Sequence, residues 1–304
     1  MKENMLITGG SGLLALNWGQ ISRDDYNVNL VLHNRKIQLA RTSTSCFRLN
    51  SIEEIQTQFE KLKPKIVIHT ASLTSVEECE SNPELAHHVN VELAENVAKV
   101  CAMLNIKFVH ISTDHLFSGN ELNVNEEHLI TPQNVYAKTK AEAELRVLDI
   151  YPESLIIRTN FYGFGASYRK SFSDMIINSL KKNENITLFK DVFYTPIFTS
   201  VLIKTVHELI KLNTAGIFNV VGDERLSKYE FGMKIAKKFE LDETLINKGS
   251  VHENPNLIHR PSDMSLSNIK VCDLLGRTLG NVDEHVGMLY QQHKTGLAQE
   301  IQSL

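Results

Sequence analysis

An apolar run that stops on glycines and restarts as a helix opens the chain, and this order constrains the fold more than any other feature. "MLIT" (residues 5 to 8) reads as a strand, and "GGSGLLALNWG" (9 to 19) follows it at once. Gly9, Gly12 and Ala15 stand in the spacing GxxGxxA. A strand that ends in a glycine turn and feeds a helix aims backbone N–H groups and the helix's positive end at one point. The architecture that uses such a turn is the open parallel sheet with helices on both faces.

The first half of the chain repeats the alternation this fold needs. "VNLVLH" (28 to 33), "KIVIHT" (65 to 70), "IKFVHIS" (106 to 112) and "SLIIRT" (154 to 159) read as further strands. Helical spacing of apolar residues fills the gaps at 51 to 63, 82 to 105 and 132 to 151, with Pro83 and Pro132 near helix starts. The fold class is therefore α/β, a doubly wound parallel sheet of the Rossmann type. After residue 160 the elements become shorter and less regular. "SFSDMIINSLKKN" and "TSVLIKTVHELIKLN" are helical, "GIFNVVG" (216 to 222) is a strand, and Ser227 with Glu230 predicts a capped helix start. Residues 1–160, with about 191–222, are expected to form a dinucleotide-binding domain. About 161–190 and 223–304 are expected to form a smaller C-terminal substrate-binding lobe.

With 304 residues, 42% hydrophobic and 22% charged, the chain can bury a substantial core. A formal charge of −4 gives no basic excess, which argues against nucleic acid or an anionic membrane as partner. Cys46, Cys79, Cys101 and Cys272 form no CxxC pair, and the twelve histidines fall in no ligand spacing, so no metal site is expected. Glycines and serine interrupt the one segment that resembles a signal sequence, and no run approaches the ~18 apolar residues of a membrane span. The expectation is a mature cytoplasmic protein, with homo-oligomerisation left open.

A dinucleotide pyrophosphate suits the first turn, so Gly9, Ser11, Gly12, Leu13 and Leu14 are candidate cofactor residues. The end of the second strand, "LVLHNRKI", has no acid to receive a ribose 2'-hydroxyl and offers Asn34, Arg35 and Lys36 instead. Positive charge there favours NADP(H), with NAD(H) as the alternative. In "NVYAKTK" (134 to 140), Tyr136 and Lys140 share a helical face, which would set an ammonium beside a phenol and lower its pKa. On spacing alone, a solvated helical face is the preferred reading, and other parts of the chain must decide between the two.

The motifs "ITGGSGLLA", "VIHTASLTSVEECESNPELAHHVNVELAENVA", "VHISTDHLFSG", "YAKTK", "GIFNVVGDERLSKYEFGMKIAKKF" and "RPSDMSLSN" run in one order along nearly the whole chain. Together they resemble the extended short-chain dehydrogenases/reductases, and most closely the dTDP-4-dehydrorhamnose reductase family. The resemblance implies a reactive trio of Thr113, Tyr136 and Lys140. It implies that Thr70, Ala71, Ser72 and Leu73 line the cofactor groove, with Tyr136 and Lys140 also against the cofactor. For a nucleotide-sugar substrate it points to Thr113, Asp114, Tyr136, Phe161 and Arg260, and it sets Tyr194 and Pro196 beside the substrate. The implied activity is NADPH-dependent reduction of a nucleotide-linked 4-keto-6-deoxy sugar for surface polysaccharide. A sugar-nucleotide epimerase/reductase and a non-catalytic NADP-binding subunit like that of methionine adenosyltransferase are the alternatives. The chain departs from the family at His115, where tyrosine is common, and at "RTNFYGFG", where many members carry tryptophan. A dehydratase would carry glutamate at 115, so His115 argues against dehydration.

Overall fold

The computed structural model describes residues 2–253, 258 and 260–304. The strands expected from the apolar runs form as β1 (Glu3–Thr8), β2 (Tyr26–Leu32), β4 (Ile66–His69), β5 (Lys107–Ile111), β6 (Leu155–Arg158) and a last strand at Gly216–Asn219. One strand was not legible. β3 (Ser43–Cys46, "STSC") is short and polar and sits at the sheet edge, where only one neighbour holds it. The order is Gly216–Asn219, β6, β5, β4, β1, β2, β3, and every pair is parallel.

Strand periodicity explains why the runs are apolar throughout. Met5, Ile7, Ile66, Ile68, Val109 and Ile111 point to one face and pack with Trp18, Leu202 and Val206. Leu6, Val67, Phe108 and Ile156 point to the other and pack with Phe59, Val97 and Val147. Both faces are covered, so polar alternation would bury unpaired groups. The chain order reverses between β1 and β4, which opens a crevice at their carboxyl ends.

The segment expected as one helix over 82–105 is not continuous. Pro83–His87 runs into a π turn at His88–Glu92 and then into Leu93–Leu104, after a separate short helix, Val76–Ser81. Beyond the sheet, Tyr162, Phe164, Ile176, Leu188, Phe231 and Val286 belong to a second core. Its helices Phe172–Lys181, Lys228–Lys238 and Val282–Lys294 each begin with a capping box, at Ser171/Asp174, Ser227/Glu230 and Asn281/Glu284. No helix among the described residues is long and apolar enough to cross a membrane.

Candidate active site

A cavity of about 660 Å³ lies at the crevice between β1 and β4. Its floor is the glycine turn. Gly9 adopts φ +66°, and a Cβ there would stand 2.8 Å from the Ala71 nitrogen, so the two strand ends approach as closely as backbones can. Helix α1 (Leu13–Ser22) starts from Gly12 with no side-chain cap, which leaves its first N–H groups facing the cavity. An anionic pyrophosphate is the kind of group this cradle fits.

Gly9, Ser11, Gly12, Leu13, Leu14, Thr70, Ala71, Ser72, Thr113, Asp114, Tyr136 and Phe161 all line this cavity. Asn34, Arg35, Leu73 and Lys140 do not line it, and neither does Arg260. Arg35 lies with its guanidinium 3.9 Å from the centroid of the Tyr168 ring, and the Tyr168 hydroxyl donates to the Ser11 carbonyl at 2.9 Å. It is thus one side chain removed from the phosphate turn. Leu73 is held through its backbone: its N–H donates to Asn90 Oδ1 at 2.7 Å and its carbonyl accepts from Asn90 Nδ2 at 3.1 Å.

Asn90 was invisible to periodicity because it lies in the π turn, where the helical register slips by a residue. The same amide accepts from Ser72 Oγ at 2.8 Å and donates to Thr139 Oγ1 at 3.0 Å. It therefore ties the β4 end to the helix Val135–Ile150 that carries Tyr136 and Lys140. From below, that helix is fixed to β6 by a fully buried pair, Glu144 Oε2 and Arg158 Nη2 at 2.7 Å.

The trio does not behave as its spacing implies. Tyr136 lies at the cavity wall with its pKa pushed up to about 12 by burial, and only its hydrogen bond with the Thr113 hydroxyl works the other way. Lys140 does not lower it. The Lys140 ammonium turns inward, donating to the Ile111 carbonyl at 2.7 Å and lying 3.3 Å from His110 Nε2. The physical reason is acceptor supply: the strand end offers a carbonyl and an imidazole, while among the described residues the acid that acts on the ammonium is Glu144, further along the helix. Burial brings the Lys140 pKa down to about 8. Burial and the nearby ammonium also hold His110 well below the usual imidazole range. Its Nε2 is therefore an acceptor.

His110 stacks on His69, ring centroids 5.6 Å apart. His69 Nδ1 is 2.9 Å from Thr8 Oγ1, which already accepts from the N–H groups of Thr70 and Ala71, so the threonine donates to the imidazole. A buried polar chain thus runs from the glycine turn to Lys140.

Beside Tyr136, Thr113 Oγ1 donates to Asp114 Oδ1 at 3.3 Å and accepts from the His115 N–H at 3.3 Å. Asp114 also accepts from Asn160 Nδ2 at 2.5 Å. The His115 ring meets Tyr136 edge-on with centroids 5.6 Å apart. His115 stands at a junction, because it also lines a second cavity of about 380 Å³, and Thr74 and Val76 do the same. Arg260 lines this second cavity, ion-paired with Glu77, and Lys228 lines it too. Tyr194 is buried beneath Lys228, whose ammonium is 3.4 Å from its ring centroid. Pro196 sits in the turn between the strands Phe193–Tyr194 and Ile197–Phe198. At the far end of the first cavity, Arg48, Leu49, Asn50, His88 and Val89 join the lining. They come from the turn after β3 and from the π turn, the two elements that pattern did not reveal.

The sequence profile of the RmlD substrate binding domain family matches residues 2–294. The chain belongs to that family. Among relatives of this RmlD-type chain is the dTDP-4-dehydrorhamnose reductase of Aggregatibacter actinomycetemcomitans, 27% identical over 284 residues, 90% of this chain and 93% of the relative. The probable low-salt glycan biosynthesis reductase Agl14 of Haloferax volcanii is 30% identical over 229 residues, covering 73% and 76%. The dTDP-4-dehydrorhamnose reductase of Bacillus anthracis, solved in complex with NADP, superposes with a TM-score of 0.84 at 24% identity, over 96% of this chain and 100% of that one. That superposition establishes the Rossmann-type fold of the RmlD-family chain.

Proposed function

We propose that this chain is an NADPH-dependent reductase of a nucleotide-linked 4-keto-6-deoxy sugar, serving surface polysaccharide synthesis. One observation carries the reading: Tyr136 and Thr113 stand together on the wall of a cleft that begins at the glycine turn and continues into a second cavity. The names of the family relatives agree with it. Residues about 161–190 and 223–304 supply the second cavity's Phe172, Met175, Lys228 and Arg260, which suits the substrate side, although Thr74 to Glu77 of the sheet domain also contribute.

A bound nicotinamide dinucleotide supplies the hydride. The glycine turn and α1 hold its pyrophosphate, and Arg48 in the lining with Arg35 on Tyr168 gives the adenosine end the positive charge that favours a 2'-phosphate. Tyr136 holds a proton at its phenol oxygen across the neutral range, because burial pushes its pKa up to about 12. An alkoxide formed at the ketone is a far stronger base, so the phenol gives up this proton to it. Thr113 turns its hydroxyl from Asp114 to the same oxygen, while the His115 N–H keeps the threonine in place. Lys140 anchors nicotinamide ribose hydroxyls once it leaves Ile111 and His110.

The test is the decay of NADPH absorbance with a panel of nucleotide-linked keto sugars. Turnover with a 4-keto-6-deoxy sugar is expected. Tight NADPH binding with no turnover across the panel would remove the reductase reading.

A further inference from the structure

The second cavity contains a cation, Lys228, that no described residue ion-pairs. Lys228 is the first residue of the helix Lys228–Lys238, at the positive end of the helix dipole, where an ammonium is disfavoured. Its neighbours are paired: Arg225 with Asp263, Lys234 with Glu224 and Asp283, and Arg260 with Glu77. Among the described residues Lys228 has no ion pair. Instead the ammonium lies 3.4 Å from the Tyr194 ring centroid and 5.0 Å from that of Phe172. These faces orient the charge without cancelling it.

The acid that acts on Lys228 is Asp114, which Asn160 and Thr113 already engage. Surrounding protein lowers the Lys228 pKa to about 8, although its head opens onto the cavity. A cation kept so close to apolar walls costs stability unless a ligand brings the opposite charge.

We propose that Lys228 binds the diphosphate of the nucleotide-linked substrate, an assignment that rests on the reductase reading. The ketone must sit at Thr113 and Tyr136, in the first cavity. Whatever is joined to the sugar then passes His115 into the second cavity, and in a nucleotide-linked sugar that group is the diphosphate. Lys228 is the unneutralised charge on that path, whereas the Arg260 guanidinium already has Glu77. Met175, Phe189 and Val251 beyond it give the nucleoside an apolar wall.

The experiment is calorimetric titration of thymidine and uridine diphosphate into the wild type, Lys228→Met, Lys228→Arg and Lys228→Gln, with NADPH titrated as control. The expected result is binding to the wild type, a loss of at least about 10-fold in the Met and Gln variants, and retention in the Arg variant. NADPH affinity should stay within about twofold throughout, since Lys228 is absent from the first cavity. Two neutral variants guard against one that fails to fold. Unchanged diphosphate affinity in a folded Met or Gln variant overturns the assignment and leaves the reductase reading standing. A wild type that binds NADPH but neither diphosphate overturns both.

Discussion

Lys140→Met is the perturbation whose consequence the structure fixes most closely. Lys140 is 2% exposed, and its pKa falls from 10.5 in the unfolded chain to about 8 in the fold. The unfolded state therefore binds more protons between these values, and stability rises with pH across that window. The penalty for burying the ammonium is fully present below the folded pKa and fades toward the unfolded one. Linkage puts it at about 3 kcal/mol near pH 7 and about 1 kcal/mol near pH 9.5.

Methionine also removes the bonds to Ile111 and His110, a loss of about 1–3 kcal/mol that does not depend on pH in this range. The difference in unfolding free energy between wild type and variant should consequently move by about 2 kcal/mol between these pH values. Urea denaturation of both proteins, without cofactor, measures it. As pH rises, the wild type should gain on the variant. An equal difference at both pH values would refute the claim that Lys140 is a buried ammonium lacking a full counter-charge.

Other outcomes follow from individual contacts. Asn90→Ala removes four hydrogen bonds and should cost about 2–4 kcal/mol in denaturant titration while weakening NADPH binding, because Ser72 loses its anchor. Glu144→Gln leaves Arg158 without its carboxylate and should destabilise by about 3–5 kcal/mol; a loss below 1 kcal/mol would show that water reaches the pair. Arg35→Ala should narrow the preference for NADPH over NADH, and an unchanged ratio would pass that role to Arg48.

The sheet was legible where both of its faces are buried, because the inner strands are runs of apolar residues. β3 carries only "STSC" and is held by pairing with β2, a contact that leaves no mark in its own composition. The glycine turn could be read because a close approach of two backbones demands glycine at Gly9. Tyr136 could be read with its helix, yet the direction of Lys140 could not. Helical spacing sets which face a side chain leaves from, whereas the acceptors that draw it inward belong to β5, far away in sequence. Asn90 and Lys228 share that cause. Each owes its role to a tertiary neighbour, the β4 end for one and Tyr194 with Phe172 for the other.

The central claim is that the Tyr136 hydroxyl delivers the proton in a reduction at the cleft. Single-turnover rates of NADPH oxidation by wild type and Tyr136→Phe, with a nucleotide-linked 4-keto-6-deoxy sugar and with NADPH affinity measured alongside, address it most directly. A rate at least about 100-fold lower in the variant at unchanged NADPH affinity is expected. A variant as fast as the wild type would contradict it.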